Sequence, residues 1–229
     1  MSPPHLFLAL SCLQGRPMQA AAEELLQLSP AGLQLTPGNA PTTNFADWLD
    51  IQGLPILKHH GFCWQALRQP VWNGQGRCRV SSDSVHPPQT HDPCATIWWQ
   101  SVEANPDVQP ILESMYPGYL LGTGQELELA MDLGLKLAVD ISHLHLQLCQ
   151  GVLKDQTLKR LQAYEAISEI HLSENNGRHD SHRPLQRQSF GLDWALERGQ
   201  EIPLVLEAYF HSLSTAEREA QLHLIRGEN

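Results

Sequence analysis

Residues 111–150 read ILESMYPGYLLGTGQELELAMDLGLKLAVDISHLHLQLCQ, and this stretch decides the fold. Its opening apolar run, extended back to Val108, reads as a strand ending in Glu113. Gly124 to Leu133 has helical spacing and is stopped at Gly134. Lys136 to Ile141 (KLAVDI) reads as the next strand and carries Asp140 near its end. Strand, helix and strand in that order predict a parallel pair joined by a helical crossover.

The same alternation extends both ways. Toward the C-terminus the pattern predicts a helix at Leu153 to Glu165, a strand at Ile167 to Leu172 and a short helix at Leu192 to Arg198 before Gly199. A strand at Ile202 to Glu207 and a helix at Thr215 to Arg226 follow. Toward the N-terminus, strands read at His5 to Leu10, Gly32 to Thr36 and Pro55 to His60. Helices read at Met18 to Leu28 and at Asn44 to Ile51, with Asn44 as a cap. Gly61 to Asn105 is the least regular stretch, with a strand at Arg79 to His86 and a helix at Pro93 to Glu103. Eight strands alternating with helices predict an α/β fold, a compact (β/α)8 TIM barrel, as a single domain over residues 1–229.

Composition bounds the function. The chain has 229 residues, 41% of them hydrophobic, enough to bury a core. Lys+Arg number 15 against 25 Asp+Glu, a net charge of −10, which argues against nucleic acid as a partner. No apolar run is long enough for a membrane span, and the first residues lack the basic start of a signal peptide. Five scattered cysteines without a CxxC favour a reducing, cytoplasmic setting over a disulfide framework. The unusual number is 12 histidines, the commonest metal-ligand side chain.

The histidines and acids gather at predicted strand ends. His59-His60, His86, Glu113, Asp140 with His143, His171, Asp180 with His182, and Glu207 all fall at or just beyond them. In a parallel barrel these ends share one face, where active sites are built. Nine convergent His, Asp and Glu side chains are costly to gather without cations. The spacing therefore predicts divalent metal, and the thiolate-free donor set suits zinc, manganese or iron. Adjacent strand residues point to opposite faces, so spacing alone leaves the choice between His59 and His60 open.

The segments ILESMYPGYLLGTGQEL, LAVDISH, EIHLSENNGRHDSHRPL and PLVLEAY resemble the xylose isomerase-like barrels, which include endonuclease IV and sugar isomerases and epimerases. The resemblance covers Ile111 to Tyr209 well and the first hundred residues loosely. It implies one catalytic metal held by Glu113, Asp140, His171 and Glu207. Its endonuclease IV-like members imply up to three ions, with His60 (or His59), His86, His143, Asp180 and His182 as further ligands. His86 stands in VHPP, similar to the family's His-Pro-Gly turn but with Pro88 in place of glycine.

Three chemistries fit one to three bound ions. An isomerase, epimerase or lyase would act on a small sugar-like hydroxy-carbonyl substrate, with Glu113 and Glu207 removing and returning the proton. A multinuclear hydrolase would attack a phosphodiester, and an iron site would support oxidation. The non-enzymatic alternative is a degenerate barrel acting as a partner protein. Arg178, Trp64 and His211 are candidate substrate contacts. His145 reads as a supporting partner on the loop after the sixth strand. The tryptophans at 64, 72, 98 and 99 read equally as a pocket wall, as core or as a homodimer contact.

Overall fold

The computed structural model describes residues 5–61 and 80–228. Trp64 and Trp72 lie outside the described residues. Eight parallel strands close into a barrel: β1 (Leu6–Ala9), β2 (Gly32–Leu35), β3 (Ile56–His60), β4 (Val80–Val85), β5 (Ile111–Glu113), β6 (Leu137–Asp140), β7 (Ile167–Leu172) and β8 (Leu204–Leu206). Spatial order equals chain order, and β8 pairs back onto β1 with Leu8 opposite Leu206.

Helices cover the outside. They are α1 (Met18–Leu26), α2 (Phe45–Gln52), α3 (Ala95–Ala104), α4 (Gly124–Asp132), α5 (Ile141–Cys149), α6 (Asp155–Gln162), α7 (Leu192–Arg198) and α8 (Thr215–Arg226). Each presents an apolar stripe to the sheet. Met18, Ala21, Ala22 and Leu25 of α1 are buried, at the spacing of one helical face. The outward strand residues, among them Leu6, Leu8, Leu33, Leu35 and Ile56, complete this layer.

The alternate strand residues face the lumen. Phe7, Ala9, Leu57 and Val205 form a small apolar floor. Any side chain at Gly32 would run into the Phe7 ring, so glycine there gives the ring its place. Above this floor the lumen is polar. Gln34, His59, Ser84, Glu113, Asp140, Glu169, His171 and Glu207 are all buried.

Four local expectations are corrected. Strand five begins at Ile111, because Pro106–Val108 forms a 3-10 turn with proline in its first turn. Asn44 stands before α2, but its side chain makes no capping bond. Helix α5 was not expected, yet it starts at the residue after β6. His143 is therefore helical, and so is His145, which was expected on a loop. The cause is Asp140, whose Oδ1 accepts from the backbone N–H of Ser142 (2.6 Å) and His143 (3.0 Å), capping the helix without a linker.

Candidate metal centre

The centre is built at the carboxyl ends of β3 to β8. Glu113 ends β5 and is the hub. Its Oε2 lies 2.7 Å from His86 Nε2 and 3.2 Å from His59 Nε2. Its Oε1 lies 3.2 Å from His171 Nδ1 and 3.6 Å from His143 Nδ1. His171 Nδ1 is also 3.5 Å from Glu207 Oε1. One donor atom each from Glu113, Asp140, His171 and Glu207 gathers within 4.8 Å, and so does one each from His59, His86 and Glu113. The quartet is the one the resemblance implied.

A third group sits beside these. Asp180 Oδ2 is 3.1 Å from His182 Nε2 and 3.3 Å from His143 Nε2, and Asp140 Oδ2 is 3.8 Å from the same His143 nitrogen. His143 Nδ1 donates to the Ser114 carbonyl at 2.9 Å, since a carbonyl only accepts. That bond aims Nε2 at the two aspartates.

The strand alternation left open at His59-His60 resolves in favour of His59. His59 is paired in register with Ser84 and faces the lumen. His60 is buried on the other face, where its Nε2 lies 3.4 Å from Asp83, also an outward residue of β4. The placement of His60 among the ligands is thus corrected.

Electrostatics follow from the packing. Burial pushes the Glu113 carboxyl up, but His86, His59 and His171 outweigh it and hold the pKa well below the usual range. Burial disfavours charge on His171, and the carboxylates of Glu207, Glu113 and Glu169 reverse that, raising its pKa well above normal. His143 is raised in the same way, by Asp140, Asp180 and Glu113. For His182, burial is outweighed by Asp180, and the pKa rises to about 9. His59 goes the other way, down to about 4, because its burial dominates. Burial raises Glu207.

The residues fit divalent cations. Among the described residues, the buried Asp140 Oδ2, Asp180 Oδ1 and His182 Nδ1 have no hydrogen-bond partner. Unsatisfied buried carboxylate oxygens facing imidazole nitrogens are costly alone and suited to a shared ion. All nine expected positions reach this region except His60, whose place His59 takes.

A cleft of about 140 Å3 opens over the centre. Its lining includes Thr36, His59, His86, His182, Glu207 and Tyr209. Tyr209 stacks on His182 with ring centroids 5.0 Å apart, and its hydroxyl donates to Gln14 at 3.0 Å. Arg178 and His211 are exposed and do not line the cleft. His145 bonds Asn175 at 3.0 Å and stacks on Phe190, so it braces the loop after β7.

Sequence reasoning missed Glu169, Gln34 and Ser84. Glu169 shares its strand face with His171, so the two-residue spacing was a usable signal.

A buried His and carboxylate centre at the mouth of a (β/α)8 barrel defines the class of molecule. No family model matches the chain, and no curated protein matches it. Among solved structures, it is similar to the 3-keto-D-glucoside 4-epimerase YcjR of E. coli in its apo form. Identity is 9%, the TM-score is 0.58, and the match covers 98% of this chain and 99% of that one. A candidate sugar phosphate isomerase/epimerase of Anabaena variabilis matches at 10% identity over 95% and 88% of the two chains, with a TM-score of 0.40. The first likeness shows a shared fold; the second carries no argument.

Proposed function

We propose that the protein is a divalent-metal-dependent enzyme that isomerises or epimerises a sugar-like hydroxy-carbonyl substrate, or eliminates from one, by proton transfer. The observation that carries this is the buried quartet Glu113, Asp140, His171 and Glu207, reached through a cleft that Glu207 itself lines. A divalent cation held there would polarise a substrate carbonyl and acidify the adjacent C–H. The E. coli epimerase, similar in fold, supports the same reaction class.

The two glutamates divide the work. Glu207 is the quartet member that lines the cleft, so its carboxylate takes the proton from the substrate carbon. Its raised pKa is the direction a base near neutral pH needs. Glu113, expected to share that task, is enclosed by His59, His86 and His171 and serves to hold charge. His86 and His182 line the same cleft and are placed to return a proton.

A second reading rests on Glu113 facing two histidine groups with its two oxygens. A carboxylate so placed suits two ions side by side, the arrangement of multinuclear phosphodiesterases and of iron oxidases. Metal analysis of the purified protein, followed by assays on keto-sugars and on phosphodiesters, separates the readings. One ion per chain with turnover of a keto-sugar supports the isomerase. Two or three ions with phosphodiester cleavage support the hydrolase. A chain that binds no ion, with thermal stability unchanged by chelator, overturns both.

A further inference from the structure

Glu169 lies inside the barrel, fully buried, two residues before His171 on the same face of β7. Its Oε1 is 3.1 Å from His171 Nε2, and the Ser84 hydroxyl donates to the same carboxylate. Ser84 Oγ is in turn 2.7 Å from His59 Nδ1. We propose that Glu169 is a positioning residue that sets which ring nitrogen both His171 and His59 turn toward the cleft. This rests on the reading of the cluster above it as an ion site.

The direction of each bond follows from proton counting. A carboxylate only accepts, so His171 Nε2 must carry hydrogen. Nδ1 then faces Glu113 and Glu207 at 3.2 and 3.5 Å; it carries a second hydrogen in the ion-free chain and is the nitrogen that would give its proton up to a bound cation. A serine hydroxyl has one proton, and Ser84 gives it to Glu169. Ser84 must then accept from His59 Nδ1–H, which leaves His59 Nε2 facing Glu113 Oε2 at 3.2 Å. One buried carboxylate thereby orients two imidazoles, His171 directly and His59 through Ser84. The Gln34 amide nitrogen lies 3.4 Å from His171 Nε2; hydrogen on Nε2 requires the opposite amide orientation, with Gln34 Oε1, which has no partner among the described residues, as the acceptor.

The test uses zinc-reconstituted full-length protein and ring-nitrogen NMR of its histidines. Wild type is expected to show ordered N–H signals from His171 Nε2 and His59 Nδ1. Glu169→Met should lose both and weaken zinc binding by about 10–100-fold. Glu169→Gln, whose amide oxygen still accepts, should keep the His171 signal. Ser84→Ala should lose the His59 signal alone. Unchanged signals and zinc affinity in Glu169→Met would overturn the proposal. So would a zinc ion lodged between His59, Glu169 and His171, whose donor atoms also lie within 4.8 Å of one another. Should Glu169→Met fail to fold, a retained His59 signal in Ser84→Ala overturns it instead. If wild type takes up no zinc, the ion-site reading fails, and the same signals in the metal-free chain and its variants decide the role of Glu169.

Discussion

A difference of one residue separates His59 from His60. Both are buried, yet His59 meets Glu113 in the lumen and His60 meets Asp83 outside it. His59→Ala is expected to lower the bound ion content, while His60→Ala leaves it unchanged and costs on the order of 1–2 kcal/mol of stability. Metal analysis beside chemical denaturation checks both. Glu207→Gln should cut turnover by about 100-fold or more while the circular dichroism spectrum stays native. Full activity in that variant would remove Glu207 from the reaction. The sequence was readable here to a parity. Period two said that one histidine of the pair faces inward, and only register against Ser84 said which. Glu169 escaped because an acid inside a strand usually faces water; its spacing to His171 carried the contrary signal.

The junction of β6 with α5 belongs to the scale of elements. Asp140 caps α5 with Oδ1 and also has a carboxylate oxygen within 4.8 Å of donor atoms of Glu113, His171 and Glu207. Asparagine caps about as well as aspartate but is a poor ligand for a hard cation. Asp140→Asn should therefore leave the melting point of the metal-free protein near wild type and weaken metal binding. Asp140→Ala should also lose about 0.5–2 kcal/mol of stability. Equal melting points for the two variants would show that the cap contributes nothing. Helix α5 went unread because no connecting residues announce it: the last residue of β6 is itself the cap. By contrast β7, α7 and α8 were legible at both ends, since Gly191, Gly199 and Gly227 bound helices whose apolar spacing is clear.

At the scale of the molecule, the centre is expected to make the stability of the metal-free chain fall as pH rises, while a bound ion would add stabilisation that grows with pH. The folded pKa of His182 is about 9, above its ordinary 6.5. Its contribution is fully present below pH 6.5 and is lost as pH rises through about 9. His143 and His171 act in the same sense. His59, lowered to about 4, opposes them and costs stability as pH falls from 6.5 toward 4. Glu113 and Asp180, both held low, contribute above the normal carboxylate range and lose that as acid protonates them. Metal-free protein should therefore become less stable between pH 6.5 and 9. Ion binding needs deprotonated imidazoles, so the stabilisation added by zinc should grow over the same range. Thermal melts with chelator and with zinc from pH 5 to 9 check this; parallel curves would contradict it.

Barrel closure has a consequence for when the centre can exist. The candidate ligands run from His59 on β3 to Glu207 just past β8, and β8 is the strand that seals against β1. Contacts across that seam join residues nearly two hundred positions apart and are slow to form. The quartet is complete only once the last strand is seated. A chain still emerging from the ribosome thus has not yet assembled the candidate site. On the proposed metal-dependent reading, capture of an ion would be a late event that locks a finished barrel, not a nucleus around which one is assembled.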